Sequence, residues 1–148
     1  MIRPAERTDI AQIWSMINEL AEFERLTHAV TGNPELLEKH IFEDRFCQVS
    51  VMEVDGEIVG YTLCVPIYST FRTLPGIWLE DLYVKESQRG KGYGKALLSN
   101  LIETCQIQQV GRLEWCVLDW NESAIRFYKA MGADVMPDWR ICRISFEV

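Results

Sequence analysis

Ile10, Ile13, Trp14, Ile17, Leu20 and Ala21 recur at the i, i+3, i+4, i+7 spacing of one helical face, which predicts an amphipathic helix. Thr8 or Asp9 can cap its start, and Gln12 stands three residues after Asp9 as in a capping box. A second helix is predicted from Asn33-Pro34, with the proline in the first turn, where its missing N–H costs nothing. Leu36, Leu37, His40 and Ile41 would form its inner face. The period then shortens. Strands over residues 48–54 and 58–65 are predicted to meet at Asp55-Gly56, a hairpin turn pair. Pro66 is expected to end the second strand, leaving 68–76 as a loop, and 77–84 reads as a third strand carrying two acids. A glycine-rich turn leads into a long helix bearing Tyr93, Leu97, Leu101 and Ile102. A strand over 112–118, a helix over 121–131 stopped by Gly132, and a last strand over 139–146 complete the pattern. This order is that of a mixed α/β fold. The length of 148 residues fits one domain spanning 1–148.

Charge and composition narrow the function. A formal net charge of −7 argues against a general nucleic-acid binder, which needs a basic footprint. The five cysteines are odd in number, widely spaced and contain no C-x-x-C pair, and only two histidines occur. Neither a disulfide framework nor a metal site is indicated, so no metal is expected. No run of about 18 apolar residues is present and the first residues lack a secretory signal's apolar stretch. A cytoplasmic location is the expectation.

The glycine turn changes the picture. Residues 85–95 hold four cations (Lys85, Arg89, Lys91, Lys95) against one acid, Glu86, a local charge of +3 in an acidic chain. Backbone N–H groups at the start of a helix suit an anion, and Gly90, Gly92 and Gly94 let a ligand approach without meeting a Cβ. A triphosphate loop of the form G-x-x-x-x-G-K-[ST] is missing. The dinucleotide pattern also fails, because its last glycine falls on Lys95. What remains is Arg89-x-x-Gly92-x-Gly94, read either as a plain strand-to-helix turn or as a diphosphate cradle.

In that context, Arg89-x-x-Gly92-x-Gly94 resembles the pyrophosphate loop of the GNAT superfamily of N-acetyltransferases, most closely its spermidine/spermine and thialysine N-acetyltransferase branch. Further segments occur in the family's order: Ile2-Arg-Pro-Ala5, Glu19-Leu-Ala-Glu-Phe-Glu24, Tyr68-Ser-Thr70, Leu79-Glu-Asp-Leu-Tyr-Val84, Val117-Leu-Asp-Trp-Asn121, Phe127-Tyr-Lys-Ala130 and Gly132-Ala133. The resemblance implies a central mixed, mostly antiparallel sheet flanked by helices, acetyl-CoA as cosubstrate, and a homodimer with active sites near the subunit interface. It implies that Leu82, Tyr83 and Val84 bind the pantetheine arm through their backbone. Arg89, Gly90, Lys91, Gly92, Tyr93, Gly94 and Lys95 would hold the pyrophosphate, and Asn121, Glu122, Ser123 and Ala124 a further part of the cofactor. Asn121 is equally a preferred helix cap. Tyr128 matches the tyrosine that protonates the departing coenzyme sulfur, and Glu80 the glutamate that removes the amine proton through water, with Asp81 as the alternative. Glu80 and Asp81, adjacent on a regular strand, would face opposite ways.

Phe23 and Glu24 match positions near the acceptor, where an acid beside an aromatic ring suits an ammonium ion; Glu114 and Cys116 are weaker candidates of the same kind. Two places depart from the family. An acid between Gly132 and Trp139 has no secure counterpart, with Asp138 and Pro137 both open. Arg72 adds positive charge near the expected acceptor path, which suits an amino-acid carboxylate better than a polycation. The expected activity is acetylation of a small cationic amine: a polyamine, a diamine or a lysine-like amino acid such as thialysine. Competing readings are a peptide N-acetyltransferase, a non-catalytic acetyl-CoA-binding module and, least supported, a nucleotide-binding protein.

Overall fold

Alternating apolar residues build one five-stranded sheet in the order β1-β2-β3-β4-β5, formed by β1 (Ile2–Pro4), β2 (Gln48–Val54), β3 (Glu57–Ser69), β4 (Leu74–Val84) and β5 (Leu113–Glu114). The first three pairings are antiparallel and the β4–β5 pairing is parallel. The computed structural model describes all residues from Met1 to Val148. They fall into two units, Met1–Cys116 and Val117–Val148.

In the first unit, α1 (Ile10–Phe23) and α2 (Pro34–Phe42) cover one face of the sheet, and α3 (Tyr93–Ile107) covers the other. Ile10, Ile13 and Met16 of α1 and Ile41 of α2 meet Val51, Tyr61, Leu63 and Tyr83 in one core. Met52, Val59, Val84 and Leu97 form the opposite layer. Gly60 makes that layer possible: a Cβ there would stand 2.7 Å from the Tyr83 carbonyl oxygen and 3.2 Å from Leu97.

Several expectations needed correction. Asp9 does not cap α1. Its carboxylate instead accepts from the Glu6 N–H (2.8 Å) and from the Arg3 guanidinium (2.7 and 3.1 Å), an ion pair worth more to a buried acid than a single helix N–H. Gln12 is no capping-box partner either, since its side chain accepts from Ile58 N–H of β3. On α2 only Ile41 is buried and Leu37 partly so, while Leu36 and His40 are exposed. Asn33 does cap α2, accepting from Leu36 N–H at 2.8 Å.

The hairpin turn lies at Asp55-Gly56, both with positive φ (52° and 79°), as a primed turn requires. Strand β3 does not stop at Pro66 but runs to Ser69, with Tyr68 opposite Pro75 of β4. The partner on its other side, β2, ends at the Gln48–Cys64 pair. Pro66 therefore sits where β3 has an open edge and a missing N–H is tolerated. The expected strand over 112–118 shrinks to Leu113–Glu114.

The second unit contains one regular element, α4 (Glu122–Ala130). The strand expected over 139–146 does not form. Residues 134–148 contain no strand, only a turn at Pro137–Asp138, and Ile144 and Phe146 are 82% and 81% exposed. Apolar alternation names the two faces of a strand; it supplies no ladder partner. No helix is long and apolar enough to cross a membrane.

Candidate active site

The pairing of β4 with β5 ends at Trp78–Glu114, whereas β4 itself continues to Val84. Residues 79–84 are thus laddered to β3 alone. Their second edge leaves backbone donors and acceptors for an extended, amide-bearing ligand. Leu82, Tyr83 and Val84 lie on this stretch, with Tyr83 in the α1-side core and Leu82 and Val84 in the α3-side layer. Their side chains anchor the strand and leave the backbone to do the binding.

Beyond Val84, a 3-10 turn at Glu86–Gln88 leads to Gly90 and Gly92, at φ of 78° and 84°, a region costly for any residue with a Cβ. Gly92 is the N-cap of α3. No backbone carbonyl accepts from the N–H groups of Gly90, Gly92, Tyr93, Gly94 or Lys95. A Cβ on Gly90 or Gly92 would meet nothing within 4 Å, so the space beside these two glycines is open. That is the arrangement for an anion at a helix start. Three of the loop's four cations are used locally. Lys85 pairs with Glu57 (2.7 Å), and the Arg89 guanidinium lies 4.9 Å from the Phe23 ring centre and 5.4 Å from that of Tyr83. Lys91 donates to Gln88 (2.8 Å) and Lys95 is exposed.

The two acids of β4 are not split by simple alternation. The register shifts between Leu63 and Cys64, which pair with Asp81 and Leu79, so Glu80 is an extra, bulged residue. Asp81 accepts a 2.8 Å hydrogen bond from the buried Tyr61 hydroxyl, and Glu80 accepts one of 2.8 Å from the Trp78 indole N–H. Glu80 acts on Glu24, the C-cap of α1, and Glu24 in turn acts on Asp81. Burial pushes Asp81 up to about 6; the Tyr61 bond opposes this, and the charges of Glu80 and Glu24 add to it. Burial, then Glu80, raises Glu24 above the usual carboxylate range. Cys47 belongs to the same neighbourhood, where burial and Glu80 raise its thiol, which disfavours a thiolate nucleophile. Three carboxylates with two held above their ordinary range make a site short of positive charge.

Phe23 ends α1 beside Arg89, immediately before Glu24. Glu114 pairs with Arg112 at 2.7 Å, and Cys116 is exposed. Arg72 occupies the β3–β4 turn, where its guanidinium donates to the Gly111 carbonyl. Ser69, at the end of β3, lies six residues along the strand from Leu63, the partner of Asp81. At strand rise this is about 20 Å, so Arg72 does not border the acidic cluster as expected. In the second unit, Asn121 caps α4 by accepting from Ala124 N–H (3.3 Å), with Glu122 and Ser123 exposed in the first turn. Tyr128 is half-buried on the same helix, its ring 5.4 Å from that of Phe127. Asp138 and Pro137 are exposed.

Residues not singled out in the sequence also shape the site: Tyr61 holds Asp81, Trp78 holds Glu80, and Glu19 accepts from the Tyr83 hydroxyl at 2.9 Å. Tyr61 and Tyr83 are cross-strand partners, a pairing visible only once the β3–β4 register is known.

Residues 13–133 match the Acetyltransferase (GNAT) family. The chain is 38% identical to thialysine N-epsilon-acetyltransferase of Mus musculus, across 89% of this chain and 82% of that protein. It is 30% identical to an L-ornithine N5-acetyltransferase of Arabidopsis thaliana, across 97% and 83%. Among solved structures, ribosomal-protein-alanine N-acetyltransferase from Brucella melitensis superposes with a TM-score of 0.76 at 20% identity, covering 99% of both chains. With the free edge of β4, the unpaired amides before α3 and a family match over most of its length, this chain belongs to the GNAT family of acetyl-CoA-dependent N-acetyltransferases.

Proposed function

We propose that this N-acetyltransferase acts on the primary amine of a small cationic metabolite, a polyamine, diamine or lysine-like amino acid, as a homodimer in the cytoplasm. The observation that carries this reading is the cluster of Glu24, Glu80 and Asp81 beside the unpartnered edge of β4. An ammonium group entering there offsets like-charge repulsion among three acids, and the neighbouring backbone edge suits the pantetheine arm. The relatives that act on thialysine and ornithine support a short cationic acceptor. Arg72, in the β3–β4 turn beyond a strand span of about 20 Å, offers no support for an amino-acid carboxylate partner at this cluster.

In the proposed reaction, Glu80 takes the amine proton through water, with Asp81 holding the cation and serving as the alternative acceptor. A free alkyl amine has a pKa near 10, so this proton must leave before attack. The amine nitrogen then bonds to the thioester carbonyl carbon, the carbon–sulfur bond breaks, and the thiolate takes a proton from the Tyr128 phenol. The role of Tyr128 rests on its sequence match, as do cofactor contacts by Asn121, Glu122, Ser123 and Ala124.

The test is release of free CoA thiol from acetyl-CoA across putrescine, spermidine, spermine, ornithine, lysine, thialysine and N-terminal peptides. Turnover of the small amines is expected. Turnover of peptides alone would overturn the small-amine reading and leave the acetyltransferase assignment intact.

A further inference from the structure

Arg89 belongs to the loop whose amides suit an anion, yet its side chain does other work. Its Nε donates to the Val84 carbonyl at 3.0 Å, fixing the last residue of β4. Its guanidinium spans two aromatic rings, Phe23 at 4.9 Å and Tyr83 at 5.4 Å. Tyr83 is itself tied to α1 by donating to Glu19 at 2.9 Å. Burial, reinforced by Glu19, pushes its phenol up to about 12, so it remains a donor at any physiological pH. The guanidinium thus bridges β4 and the last residue of α1. Phe23 is followed at once by Glu24, the α1 member of the acidic cluster, and then by Arg25 at φ 60°. The helix end is closed by its own backbone, with Leu26 N–H donating to the Ala21 carbonyl at 2.8 Å and Glu24 N–H to that of Leu20 at 2.9 Å, and the Arg89 guanidinium lies on Phe23, the residue before Glu24.

We propose that Arg89 is a positioning residue for the amine acceptor: its guanidinium, on Phe23 and Tyr83, sets where Glu24 stands, while the loop's backbone amides bind the diphosphate. This rests on the small-amine reading above. Lysine is the informative substitution. It keeps the charge a diphosphate would use, but loses the planar group that covers a ring and the Nε that reaches Val84. Phe23→Leu removes the ring from the other side without touching the loop.

The experiment measures amine KM, kcat and CoA Kd for the wild type, Arg89→Lys, Phe23→Leu and the double variant. A contact of this kind, partly exposed, accounts for about a fivefold effect. Each single variant should raise amine KM by about that factor, with kcat and CoA Kd within about twofold of wild type. Because Phe23→Leu removes only a contact that Arg89→Lys already removes, the double variant should be no worse than Arg89→Lys alone. An unmoved amine KM in Arg89→Lys overturns the proposal, as does CoA Kd weakened about tenfold at unchanged amine KM, which would make Arg89 a diphosphate ligand. Single effects that multiply in the double variant also overturn it. If Arg89→Lys is too unstable to assay, an unmoved KM in Phe23→Leu decides against it. Absence of small-amine turnover by the wild type overturns the functional reading itself, and is seen before any variant is made.

Discussion

Replacing Asp81 with asparagine should stabilise the fold at neutral pH while weakening its hold on a cation. Burial, with Glu80 and Glu24 nearby, raises the Asp81 carboxyl from an ordinary 3.8 to about 6. Each unit corresponds to about 1.4 kcal/mol, so the ionised form costs the native state roughly 3 kcal/mol at the upper limit. Residual solvent contact screens part of this, and about 1–2 kcal/mol is the working figure. The sign follows from the direction of the shift. The folded chain holds this proton more tightly than the unfolded chain, so stability falls as pH rises through the interval from 3.8 to about 6 and stays low above it. Asparagine has no charge to bury and keeps an oxygen to accept the 2.8 Å bond from Tyr61. Urea denaturation should therefore show Asp81→Asn more stable than wild type at pH 8 by about 1–2 kcal/mol, with a smaller advantage at pH 5. Amine KM should rise in the same variant. An Asp81→Asn protein less stable than wild type at pH 8, or an advantage equal at both pH values, would refute the reasoning.

Other perturbations separate the remaining roles. Glu80→Gln should lose more activity at neutral than at alkaline pH, where more of the amine is already deprotonated; a uniform loss would assign Glu80 to binding. Tyr128→Phe should keep CoA affinity and lower turnover by about 10²-fold, the lower range for a general acid, whereas unchanged turnover removes Tyr128 from the mechanism. Gly92→Ala places a Cβ at φ 84° in open space. The fold should survive a cost of about 1 kcal/mol while CoA binding weakens, and unchanged CoA affinity would contradict the diphosphate loop.

What the sequence disclosed was local. Asn33-Pro34, Asp55-Gly56 and Asn121 each carry their geometry in their own chemistry, and each appears as a cap or turn where expected. The Arg89-x-x-Gly92-x-Gly94 loop was legible for the same reason: a positive φ at Gly92 and a helix start are local facts. What stayed hidden depended on a partner. The bulge that makes Glu80 an extra residue exists only in the register of β4 against β3. Asp9 prefers Arg3, which β1 brings beside it, over capping its own helix. Pro66 reads as a strand end until β2 is seen to stop at Gln48. The segment from Trp139 to Phe146 was expected to be a strand, but no ladder follows from side chains alone.

The most direct measurement is kcat/KM for acetyl transfer from acetyl-CoA to a diamine, ornithine, thialysine and an N-terminal peptide, using wild type and Glu24→Gln. The cationic small molecules should be favoured over the peptide in the wild type, and Glu24→Gln should erode that preference by raising their KM. A wild type that acetylates the peptide best, or a Glu24→Gln variant with the same preference as wild type, would contradict an acid-lined acceptor site for small amines.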